Sequence, residues 1–130
     1  MADANAAKIA ALNDHARQTF TGCRVVITQG VAELDPEDVS YVLNEVRSYN
    51  DFTLQNDPYG EHDFGKISTW EFEVFWKIDY YDLDLQMHSP DPTDPAVTEV
   101  VLDFGPVCSR FKMDHGFIYA ANLIGSVLLS

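Results

Sequence analysis

The sequence predicts an α+β fold, with two amino-terminal helices packed on a small antiparallel sheet that has a central aromatic hairpin. Three observations lead there. Apolar residues recur at helical spacing in two stretches of the first fifty positions, and strict apolar–polar alternation takes over between Trp70 and Tyr81. Helical and extended stretches also fall in separate runs, which argues against a doubly wound parallel sheet.

Ile9, Leu12, Ala16 and Phe20 lie three and four positions apart, so they share one side of a helix over residues 6 to 20, with Asp3 or Asn5 as its cap. Gly22 ends that pattern. The β-branched run Arg24-Val25-Val26-Ile27-Thr28, bounded by Gly22 and Gly30, reads as a buried strand. A second helix starts at Asp35-Pro36-Glu37-Asp38: Asp35 is the N-cap, Pro36 stands where a missing N–H costs nothing, and the acids face the positive end of the helix dipole. Val39, Val42, Leu43 and Val46 then form one apolar face, carrying the helix to about Tyr49.

Asn56-Asp57-Pro58-Tyr59-Gly60 is dense in turn formers and marks a loop. Beyond it, Trp70, Phe72, Val74, Trp76, Ile78 and Tyr80 alternate with Glu71, Glu73, Phe75, Lys77, Asp79 and Tyr81, the clearest strand in the chain. Phe64 to Ile67 pairs with it as the first arm of a hairpin turning near Ser68 and Thr69. Three prolines between Ser89 and Pro95 exclude both ladder and helix, leaving an exposed acidic loop, and Val97 to Phe104 forms a final strand.

A chain of 130 residues fits one domain spanning residues 1–130, and 46% hydrophobic residues are enough to bury a core despite a formal net charge of −13. That charge is uneven. Residues 1–103 carry 20 acids against 6 bases, whereas residues 104–130 form an apolar tail with Asp114 against Arg110 and Lys112. So negative a surface repels nucleic acid and anionic membrane and favours basic protein partners. The apolar run from Phe117 to Leu129 is shorter than the roughly 18 residues a membrane span takes, and suits a buried terminal helix or strand, or a homodimer contact. The amino terminus lacks the pattern of a secretory signal, so the expected location is the cytoplasm. Cys23 and Cys108, 85 positions apart with no CxxC pairing, are expected to be buried, inert thiols.

No complete catalytic or cofactor motif runs along the chain, so the expectation is a non-enzymatic protein without a cofactor. The glycines never form a phosphate-cradling loop, and Cys108 with His115 lacks any thiol-protease signature. His62, Asp63 and Asp79 are the one set of ligand-type residues close enough in sequence to suggest metal-assisted hydrolysis, with nitrogen and oxygen donors holding an ion and a spare carboxylate taking a proton from water. Their spacing matches no diagnostic motif, and His62 fixing a loop by hydrogen bonds is the plainer role.

The acid distribution suggests a different activity. Residues 57–103 carry 12 acids against Lys66 and Lys77, on the hairpin and the loops beside it. Spaced carboxylates on a rigid sheet imitate a phosphate backbone, so Glu71, Glu73, Asp79, Asp82, Asp84, Asp91 and Asp94 are the expected contacts to a basic, nucleic-acid-handling protein. An ordinary solvated acidic face is the alternative.

Four stretches carry a family resemblance: Leu12-Asn13-Asp14, Thr28-Gln29-Gly30-Val31, the run from Asn56 to Gly65 (NDPYGEHDFG), and the run from Phe75 to Asp82 (FWKIDYYD). Together they resemble the bacterial domain-of-unknown-function family 3768, over about residues 8 to 101. The family has no established activity to carry over. Its members look like stand-alone small proteins of bacteria and their mobile elements, which implies an anti-defence role such as blocking a CRISPR or restriction complex. After about Val101 the chain departs from the family pattern. Three classes of function stay open: an acidic inhibitor, a small metal-dependent hydrolase, and a homo-oligomeric scaffold using the tail.

Overall fold

The computed structural model describes residues 4–109 and 126–129. Its element order is α1 (Ala4–Thr19), β1 (Arg24–Thr28), α2 (Gln29–Ala32), α3 (Pro36–Arg47), β2 (Phe64–Ser68), β3 (Phe72–Tyr81), β4 (Glu99–Ser109) and β5 (Ser126–Leu129). This is a mixed α+β chain with its helices at the amino-terminal end.

The five strands lie in the order β2-β3-β4-β1-β5. Two features differ from the sequence expectation. The sheet is mixed, because β1 runs parallel to β4, with Val25 opposite Leu102 and Ile27 opposite Phe104, while the other pairings are antiparallel. The aromatic hairpin β2–β3 occupies one edge, and β4 is the central strand. Alternation reports which face of a strand is buried but not which strand lies beside it, and the β1–β4 pairing joins residues far apart in sequence.

One face of the sheet is the core. From β3 it takes Phe72, Val74, Trp76, Ile78 and Tyr80, to which α1 adds Ile9 and α3 adds Val42 and Val46. Trp70, assigned by alternation to this set, lies in the β2–β3 turn and is exposed. There Thr69 Oγ1 accepts the N–H groups of Glu71 and Phe72 at 3.1 and 3.0 Å, so a threonine side chain closes a turn that lacks glycine or proline. The pairing of β3 with β4 skips between Val74 and Trp76, opposite Gly105 and Pro106. Pro106 has no N–H to give the ladder, and the extra residue lets Phe104 and Val107 both face the core.

The helices start and stop for local reasons. Phe20 lies just beyond α1 with φ +57°, its N–H on the Ala16 carbonyl, and packs on Phe104 at 6.0 Å between ring centroids. Asp3 lies outside the described residues, and Asn5 falls within α1. Asp35 stands at the N-cap of α3 with Pro36 behind it, but its carbonyl, not its carboxylate, receives the Asp38 and Val39 N–H groups. Among the described residues no helix is long and apolar enough to cross a membrane. The tail expectation lies largely outside the described residues; its last four described positions, Ser126–Leu129, form an edge strand antiparallel to β1.

Gly65 in β2 allows two core rings to pack directly on the strand backbone. A Cβ there would lie 2.5 Å from Trp76 Nε1 and 2.7 Å from Tyr49 Cζ, two rings that already meet edge to face. Gly65→Ala is therefore expected to destabilise the fold by about 1–3 kcal/mol through overpacking, read as a lower urea midpoint at unchanged slope.

Candidate functional site

The acids proposed as one surface occupy three places. Glu71 and Glu73 sit at the β2–β3 turn and Asp82 follows the far end of β3, about 30 Å away at the usual rise of a strand. On the outer sheet face three of the acids are paired. Lys66 Nζ lies 3.8 Å from Glu73, Lys77 Nζ 2.9 Å from Asp79, and Arg24 Nε 3.3 Å from Glu99. The Asp79 carboxylate in turn holds the Lys77 ammonium above the ordinary lysine range. Burial pushes the Asp103 carboxyl up, with Lys77 opposing.

The loops between β3 and β4 are different. Residues 82–98 contain Asp82, Asp84, Asp91 and Asp94 and no lysine or arginine. Among the described residues no ion pair reaches any of the four. Three of them organise their own backbone. Asp82 Oδ1 accepts the Gln86 and Met87 N–H groups at 2.9 and 3.4 Å, Asp91 Oδ1 accepts the Thr93 N–H and hydroxyl at 3.1 and 2.7 Å, and Asp94 Oδ1 accepts the Ala96 N–H at 2.9 Å. The Asp91 and Asp94 contacts, made to N–H groups two positions on, are Asx turns, while Asp82 closes a longer span of four and five residues. The Thr93 contacts hold Asp91 below the usual carboxyl range. A buried bond of 2.7 Å between the Ser89 and Thr98 hydroxyls closes the second loop.

A polar network holds residues 57–63 against α1 and β3. The nearly buried Asp57 carboxylate accepts the N–H groups of Glu61 and His62 at 3.0 and 3.1 Å. His62, at φ +57°, places Nδ1 2.9 Å from Asp14 and stacks on Phe52 with ring centroids 4.0 Å apart. Asn13 Nδ2 donates to the Glu61 carbonyl at 3.0 Å and to the Tyr80 hydroxyl at 2.9 Å. That hydroxyl lies 3.4 Å from Glu61 Oε1 and 3.2 Å from Asp63 Oδ2. Arg17, 1% exposed, donates to the Val46 and Arg47 carbonyls at 2.9 and 3.2 Å and to Asp14 at 2.8 Å.

The geometry separates His62, Asp63 and Asp79 by giving each its own partner: Asp14, Tyr80 and Lys77. Among the described residues no three histidine, cysteine or acidic side chains are placed to hold a metal ion. Asn13 and Arg17 were missed as network members. Their signal was present, since both fall on the helical face of Ile9 and Ala16, and a polar residue on a buried face must find partners. Cys23 is half-buried, and burial followed by the Glu99 charge pushes its thiol up, which keeps it protonated and slow to react. The Cys108 side chain lies outside the described residues.

Fold and network together describe a small α+β chain in which one polar staple joins α1, the loop at residues 57–63 and β3. The family model described as Protein of unknown function (DUF3768) matches residues 27–104, more than half of the chain. The chain belongs to this family. Comparison with curated proteins and with solved structures gives no match.

Two outcomes test the staple. Arg17→Met leaves Asp14 and two helix-end carbonyls without their donor, and should cost about 3 kcal/mol in urea unfolding. Burial raises the Glu61 and Asp63 carboxyls, and neighbouring acids add to it. The folded state then holds their protons more tightly than the unfolded chain, so this contribution is full below the ordinary carboxyl range and is lost as pH rises through the raised values. Glu61→Gln with Asp63→Asn should remove that loss, so the variant's stability relative to the parent chain should improve from about pH 4.5 to about pH 7.

Proposed function

We propose that the chain is a non-enzymatic, acidic, cytoplasmic interaction protein that binds a basic, nucleic-acid-handling protein in place of nucleic acid, as an anti-defence inhibitor would. One observation supports the reading above the others: Asp82, Asp84, Asp91 and Asp94 share a pair of hydrogen-bonded loops free of any lysine or arginine, whereas three acids of the sheet face each have a cation within 4 Å. Uncompensated charge at fixed positions presents a basic channel with the field of a phosphate backbone and speeds encounter with it. The contact surface is accordingly narrower than the full set of hairpin acids. It centres on the loop aspartates, with Glu71 and Glu73 remote from it. The metal-hydrolase alternative gains no support from the arrangement of His62, Asp63 and Asp79.

The immobilised chain should capture basic DNA- or RNA-handling proteins from host lysate, identified by mass spectrometry. Asp84→Lys with Asp91→Lys and Asp94→Lys should lower affinity for the captured partner by at least about tenfold at low salt and flatten its salt dependence. Unchanged affinity in that variant would sink the reading.

A further inference from the structure

The first of the two loops carries more than charge. Between Asp82 and His88 three large apolar side chains point into water: Leu83, Leu85 and Met87 are 58%, 39% and 69% exposed. Single exposed apolar residues are commonplace, but three within five positions of one short loop are not explained by chance surface composition. The loop is also held in a fixed shape. The Asp82 N–H donates to the Met87 carbonyl at 2.8 Å, the Leu85 N–H to the Asp82 carbonyl at 3.0 Å, and the Ser89 N–H to the Tyr80 carbonyl at 3.0 Å. Asp82 Oδ1 fastens it from within, and Tyr81 bridges to His88 across its base. Leu85 itself stands at φ +59°, a left-handed conformation that is unfavourable for a branched residue and that glycine would adopt freely. Keeping leucine there spends stability on an exposed apolar side chain.

Beside the loop lies a cleft of about 300 Å³ lined by Asp63, Asp79, Tyr81, Gln86, Met87 and His88. Apolar side chains on a rigid tip, with Asp84 among them and the carboxyl groups of Asp63 and Asp79 in the cleft at their flank, make a surface complementary to one kind of partner.

Resting on the reading above, we infer that the Leu83–Met87 tip is the anchor of the interface, seating its apolar side chains in an apolar pocket of a partner protein whose rim carries arginine or lysine. Charge brings the two surfaces together, and the tip supplies the contacts that hold them. Because the loop is already ordered, little conformational freedom is lost when it docks.

Two twelve-residue peptides with equal numbers of arginines test this, one alternating arginine with leucine and the other arginine with serine. The chain should bind the leucine peptide at least about fivefold more tightly. Leu83→Ser with Met87→Ser should abolish that preference while leaving affinity for the serine peptide and its salt dependence unchanged. Equal affinity of the parent chain for the two peptides, or a preference that survives the double substitution, overturns the anchor. The charge reading is scored separately, by the serine peptide and the triple lysine variant. If the serine peptide fails to bind at low salt the charge reading falls, and if only the leucine preference is missing the anchor alone falls.

Discussion

The buried guanidinium of Arg17 holds the helical layer in place. A charge of that size is costly to remove from water, and here the two terminal nitrogens reach the last carbonyls of α3 and the Asp14 carboxylate, while the buried Nε has no hydrogen-bond partner. One side chain therefore does three things. It caps two carbonyls of the last turn of α3, joins α3 to α1, and orients Asp14 toward His62. From His62 the network passes to the loop that Asp57 folds, and through Asn13 to Tyr80 in the core strand. The guanidinium also lies 5.4 and 5.6 Å from the Phe52 and Trp76 ring centroids, where the ring faces offset part of its lost hydration.

This dependence explains what was legible in the sequence. Elements set by local pattern could be read directly: the α3 start at Pro36, the alternation of β3, the proline-rich loop, and the burial of Val42, Val46 and Trp76. Features set by distant partners could not. Nothing local to Arg24–Thr28 announces that β1 lies parallel to β4, and α2 is four residues long, too short for a periodicity to show. The expected end of α3 near Tyr49 gives way to Arg47, where the Tyr49 N–H turns back to the Val46 carbonyl and Arg17, some thirty positions earlier, adds bonds to the Val46 and Arg47 carbonyls.

The site was legible in the same uneven way. The two long motifs, which fall within the family match, supply Asp57, Glu61, His62, Asp63 and Tyr80, while Asn13 and Asp14 lie before the matched residues; most of this polar chemistry is used in holding the fold together. A cluster of histidine and acids invites a catalytic reading when only its composition is visible. Once each group has a named partner, the architectural reading accounts for the same residues. The acids that remain, in residues 82–98, lie largely outside those motifs, and their distinction is that no ion pair among the described residues reaches them, Lys8 acting on Asp91 only from beyond ion-pair distance.

A strongly negative chain must limit self-repulsion, and this one does so by position. On the sheet, where neighbouring strands bring carboxylates close, Lys66, Lys77 and Arg24 each stand beside one of them. In the loops Asp82, Asp91 and Asp94 are stabilised instead by N–H groups and a hydroxyl, which fix the backbone without cancelling the charge. Solubility alone asks for negative charge in any arrangement. A rigid loop with uncancelled charge and exposed leucines costs stability twice, through repulsion and through apolar hydration, and both costs are offset if a basic, apolar-pocketed surface closes over it.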